Sequence, residues 1–131
     1  MSAAPQFLPP MISARQHAVL DYSVAAMFFG LATRYRNRNH AAARLALINA
    51  ALVLGTSMMT DYPGGLWRRL SFKTHRTLDM VQAALTAFGP AAFGFAHTPE
   101  AKTFYAQATS ELGVIAMTDW EAGDESARSG E

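Results

Sequence analysis

The chain has 131 residues, half of them hydrophobic and only 16% charged, with a net charge of +1 and no cysteine. That length suits one domain. The charge balance argues against a nucleic-acid partner, and the missing thiols exclude disulfides, thiolate metal sites and cysteine nucleophiles. Mean hydropathy is close to zero, so location must be read from the segments.

In chain order, residues 1–13 carry three prolines and no basic stretch leading into an apolar run, and read as a flexible segment without a cleavable signal. Apolar helical patterns follow over 14–32 and 40–59, joined by the polar connector 34–39. Tyr62-Pro63-Gly64-Gly65 stops the second helix, and 63–73 reads as a linker. Two more helices are expected over 74–95 and 99–117, the last with Thr98 as its N-cap and Pro99 in its first turn. The acidic, Gly- and Ser-rich residues 121–131 lack any apolar period and read as a disordered tail.

The second pair of helices repeats the first. Shifted by 58 residues, 16–62 aligns with 74–120 without a gap. His17 falls on His75, Leu20 on Leu78, Asp21 on Asp79, Asn49 on the similar Gln107, and Met59-Thr60-Asp61-Tyr62 on Met117-Thr118-Asp119-Trp120. The expected fold is all-α: a four-helix bundle of two tandem helical-hairpin repeats, 14–62 and 74–120.

Each helix offers an apolar stretch close to the roughly 20 residues that cross a bilayer, and none has the broad charged face of a soluble bundle. The reading is a transmembrane bundle with both termini on one side, the lipid bilayer as its partner, and association into homo-oligomers or a larger membrane complex through Ala and Gly faces. Tyr62, Trp67 and Trp120 are expected as interfacial aromatic anchors. Arg68, Arg69 and Lys73 are expected at lipid head groups.

The pattern H-x-x-x-D-Y (His17, Asp21, Tyr22), then T-D-Y (Thr60, Asp61, Tyr62), then H-x-x-x-D (His75, Asp79) resembles the SPW-repeat family. Pro90, Gly94 and Phe95 fit that family's third motif, whereas Gly89 and Ala91 stand where its serine and tryptophan fall. The resemblance implies a small bacterial integral membrane protein with four helices in two repeats, in the inner or plasma membrane. It implies no activity.

A His and an Asp four residues apart share one helical face. In an up-down-up-down bundle, His17, Asp21, Asp61, His75, Asp79 and Asp119 all belong to one end. Two readings compete. The first is a symmetric polar clasp in a non-enzymatic membrane protein of structural or accessory role. The second is a metal- or small-ligand-binding bundle, because imidazole and carboxylate suit zinc, iron or manganese. No cofactor is specified. Within the spans, Asn49, Gln107 and Glu111 are the polar residues expected to face inward, and His40 and His97 belong to the opposite, solvated end. No phosphate loop, nucleophile elbow or H-E-x-x-H is present, so the chain reads as non-enzymatic.

Overall fold

The computed structural model describes residues 8–121. Four helices account for most of them: α1 Ala14–Tyr35, α2 His40–Met59, α3 Phe72–Ala92 and α4 Ala101–Met117. No strand forms among the described residues, as expected of an all-helical chain. Residues 1–7 and nearly all of the expected acidic tail lie outside the described residues.

Local chemistry sets the helix starts. Ser13 and Gln16 form a reciprocal capping box on α1, each side chain accepting the other's backbone N–H. Ser71 caps α3 through the Thr74 N–H, and Asn39 caps α2 through the Ala42 N–H. Position 71 is 58 residues after position 13, so the duplication runs further back than the side-chain matches alone suggest. At α4 the expected cap is not used: Thr98 hydrogen-bonds the Phe95 carbonyl in a turn, and the helix starts at Ala101 without a side-chain cap.

The segments that flank the helices make a second repeated feature. Ile12 pairs with Thr118 and Thr60 pairs with Leu70, both in parallel. These two bridges are each other's counterpart under the 58-residue shift. Each joins the start of one repeat to the end of the other, which pins residues 8–13 and the 60–71 connection to one end of the bundle.

Packing departs from the symmetry. Close helix pairs are α1 with α2, α3 with α4, and α2 with α3, but α1 and α4 do not pack closely. Gly89 of α3 lies against Leu45 of α2, so near that a methyl there would meet the Leu45 side chain at 2.5 Å. The counterpart of Gly89 on α1 is the much bulkier Leu31. The core has two parts. Phe28, Tyr35, Leu45, Phe95 and Phe104 fill the end away from the termini, and Ala14, Ala18, Tyr62, Phe72 and Trp120 fill the other. Among the described residues one helix, α2, is long and apolar enough to cross a membrane by length and composition.

Candidate functional site: a ring of two histidines and two aspartates

Between α1 and α3, at the end that carries both bridges, four side chains close a ring. His17 Nε2 lies 3.4 Å from Asp21 Oδ1 and 2.9 Å from Asp79 Oδ2. His75 Nε2 lies 3.0 Å from Asp21 Oδ2 and 3.1 Å from Asp79 Oδ1. Each carboxylate therefore spans both imidazoles, and each imidazole faces one aspartate from each repeat. Both histidines are fully buried, at 0% and 1% exposure.

The outer ring nitrogens are held by threonines from the opposite repeat. His17 Nδ1 is 2.8 Å from Thr118 Oγ1, and His75 Nδ1 is 2.7 Å from Thr60 Oγ1. Both hydroxyls also approach the carbonyl four residues back, Val114 and Thr56, at 2.6 Å. A carbonyl oxygen only accepts, so the hydroxyl hydrogen lies there and the threonine oxygen accepts from the imidazole. Both histidines thus carry a hydrogen on Nδ1. Their Nε2 atoms then meet the carboxylates either as N–H groups of imidazolium or as bare lone pairs. The ring is neutral as two imidazoliums with two carboxylates. With neutral imidazoles it is a cage of electron pairs that a cation satisfies.

The surroundings are aromatic. Trp120 and Phe72 pack against the His17 ring with centroids 5.0 and 5.6 Å away, and Tyr62 packs against His75 at 5.2 Å. Tyr62 also donates its hydroxyl to Asp21 Oδ2 at 2.8 Å. Burial, reinforced by the Asp21 carboxylate, pushes the Tyr62 phenol well above its ordinary range and keeps it a donor. Trp120 occupies the equivalent place in the second repeat but gives its indole N–H to the Ile115 carbonyl, so Asp79 has no matching donor there.

Two expectations are corrected by this arrangement. Asp61 and Asp119 stay outside the ring: Asp61 is exposed and pairs loosely with Arg68 at 3.8 Å, while Asp119 contributes its backbone N–H to the Ile12 carbonyl. Their threonine neighbours reach inward instead. The chain is extended at Thr60 and Thr118, where successive side chains face opposite ways, so threonine and the aromatic two residues later turn in and the aspartate turns out. For the same reason Tyr62 and Trp120 are buried, at 2% and 4%, and anchor the ring instead of an interface. Trp67 is exposed, as are Arg68, Arg69 and Lys73.

One turn further into the bundle a second polar group forms. Gln82 Nε2 lies 2.9 Å from both Asn49 Oδ1 and Glu111 Oε1, giving a hydrogen to each. Thr86 joins at Asn49 and Gln107 at Glu111. The expected inward trio Asn49, Gln107 and Glu111 does converge, through Gln82 and Thr86, neither of them singled out in the sequence. Glu111 Oε2 is buried without a partner. It borders a crevice of about 70 Å³ between α1 and α4 that reaches His17, Asp21 and Asp79. A mate of about 90 Å³ lies between α2 and α3, where Val53 replaces the glutamate. His40 and His97 are exposed and far from either group in the fold.

No family model, no curated protein and no solved structure matches the chain. The resemblance to the SPW-repeat family stands on its short motifs.

Proposed function

We propose that the chain is a small integral membrane protein of structural or accessory role, its four helices embedded in a bacterial inner or plasma membrane. The observation that carries this reading is the outward face of every helix. Val19 and Phe29 on α1, Leu47 and Ile48 on α2, Val81 and Phe88 on α3, and Tyr105 and Leu112 on α4 are all exposed. Residues 16–33, 45–59, 77–92 and 103–117 present no exposed acidic or basic side chain. Surfaces of that kind, this continuous, mark contact with lipid or another apolar partner.

The ionisable and amide residues inside those stretches, from His17 and Asp21 to Gln107 and Glu111, belong to the ring and to the glutamate network, while the exposed charges Arg15, Arg34, Lys73 and Lys102 sit at the helix ends. Buried polar groups that satisfy one another are the form in which such residues persist in a membrane interior. The helices measure about 33, 30, 32 and 26 Å at 1.5 Å per residue, against a hydrocarbon thickness of about 30 Å. The motif resemblance points the same way.

Fractionation tests the reading. The expressed protein is expected in the membrane pellet, resistant to carbonate and released by detergent. Recovery in the soluble fraction, or release by carbonate, overturns it.

A further inference from the structure

We propose that the ring of His17, Asp21, His75 and Asp79 is a binding site for one divalent transition-metal ion, with zinc as the best fit to its donors. The inference goes beyond membrane residence and does not depend on it, because every ligand comes from within the chain.

Geometry is the first support. Bonds of about 2.0–2.1 Å around a four-coordinate ion place neighbouring ligand atoms about 3.3 Å apart. With one oxygen taken from each carboxylate, Asp21 Oδ2 and Asp79 Oδ2 lie 3.0 Å from His75 Nε2 and 2.9 Å from His17 Nε2, a little inside that spacing. One donor atom from each residue lies within 4.8 Å of all the others. Two imidazoles and two carboxylates suit zinc, iron or manganese, and four donors match the usual coordination number of zinc.

The unpartnered nitrogen is the second, independent support. His75 Nε2 makes no hydrogen bond, although two carboxylate oxygens lie within 3.1 Å. At such distances the failure is one of direction: both oxygens sit well off the axis of the ring nitrogen. His17 Nε2 aims at Asp79 Oδ2 as a hydrogen bond requires, whereas His75 Nε2 aims at neither oxygen. A lone pair ligating a metal aims between its neighbours, since the other ligands flank the bond.

The outer contacts are those a metal ligand needs. A ligating histidine gives its other N–H to a fixed acceptor, which sets the tautomer and turns the ring. Thr60 and Thr118 are positioning residues of this type, their own hydrogens held by the helix carbonyls. Tyr62 fixes Asp21 in the same way. The crevice between α1 and α4, bordered by Glu111, reaches the ring at His17, Asp21 and Asp79. Bound there, the metal ties α1 to α3 and so one repeat to the other.

Full-length protein, purified in detergent, stripped with chelator and dialysed, is titrated with zinc by calorimetry. Cobalt is added to a second sample and its visible absorption followed. One zinc per chain with micromolar or tighter affinity, and the intense cobalt bands of a four-coordinate site, are expected. The double variant His17→Gln/His75→Gln is expected to lose more affinity than the roughly 10–100-fold of an outer-shell change. Thr60→Val and Thr118→Val are each expected to weaken zinc by about 10–100-fold while helicity by circular dichroism is retained. These two keep the test decisive should the histidine variant fail to fold. A folded wild type with only millimolar zinc binding, or zinc affinity unmoved by the threonine variants, overturns the site. The fractionation result is read separately, so failure of the membrane reading is distinguishable from failure of this one.

Discussion

The two polar groups of this bundle treat the duplication in opposite ways. In the His/Asp ring every member has its counterpart: two histidines, two aspartates, two threonines and two parallel bridges, each related by the same shift. In the network one turn deeper only Asn49 and Gln107 correspond. Gln82, Thr86 and Glu111 face Val24, Phe28 and Val53 in the other copy. A group assembled from both repeats at their shared axis constrains both copies equally, because a change in either damages the whole. The deeper network takes four of its five members from the second repeat and only Asn49 from the first, and there the copies have diverged.

The largest effect belongs to the shared group. Asp79→Ala removes the carboxylate that spans both imidazoles and is expected to destabilise the protein by about 3–5 kcal/mol, as breaking a buried ionic pair does. Thermal unfolding in detergent, followed by circular dichroism, measures it; a loss below 1 kcal/mol, well under the roughly 3–5 expected, would mean the ring is not held as described. Tyr62→Phe deletes a hydrogen bond to a carboxylate and is expected to cost about 1.5–3 kcal/mol in the same assay. Trp120→Phe, its counterpart, keeps the packing on His17 and leaves Asp79 untouched, so the smaller loss of a neutral hydrogen bond, about 1 kcal/mol, is expected there.

Thr60→Val and Thr118→Val each leave one buried imidazole N–H without its acceptor, at about 1–3 kcal/mol apiece. The sharp form of the comparison is that these two values agree with each other. A difference of more than about 1 kcal/mol, on the scale of a whole hydrogen bond, would show that the ring is symmetric in shape and not in energy.

The smallest effect is expected in the divergent group. Gln82→Val takes one donor each from Glu111 and Asn49, which keep Gln107 and Thr86, and should destabilise by about 0.5–1.5 kcal/mol, and Gln82→Val/Glu111→Val, which installs the residues of the other repeat, should cost no more. A double variant worse than the single would locate a use for Glu111 that valine cannot serve.

How far the sequence spoke follows the same division. The repeat, the helix order and the H-x-x-x-D pairs were legible because a helix puts residues four apart on one face whatever surrounds them. Ile12 and Ser13 were read as a flexible lead-in, since one bridge residue and one cap carry no period. Choosing Asp61 and Asp119 over Thr60 and Thr118 came from ranking residues by charge; the extended backbone beyond each helix, which decides which way each side chain turns, has no signature in composition. Gln82 and Thr86 stand alone against Val24 and Phe28 as Glu111 does against Val53, but without a charge nothing in composition marks them as buried partners. The counterparts Gly89 and Leu31 carry no period either, so the sequence does not show that α2 and α3 pack closely while α1 and α4 do not.

The exchange of partners across the two parallel bridges has a consequence for ancestry and for engineering. The start of repeat one meets the end of repeat two just as the start of repeat two meets the end of repeat one. Neither hairpin completes its own half of the ring: His17 needs Thr118, and His75 needs Thr60. A lone hairpin carrying Ser13, His17, Asp21 and Thr60 holds one full set of parts and can close the ring only with a second copy of itself. The chain has the form of a twofold homodimer fused head to tail, in which residues 63–69 supply the covalent link and Thr60, Tyr62, Leu70 and Ser71 on either side supply the structure.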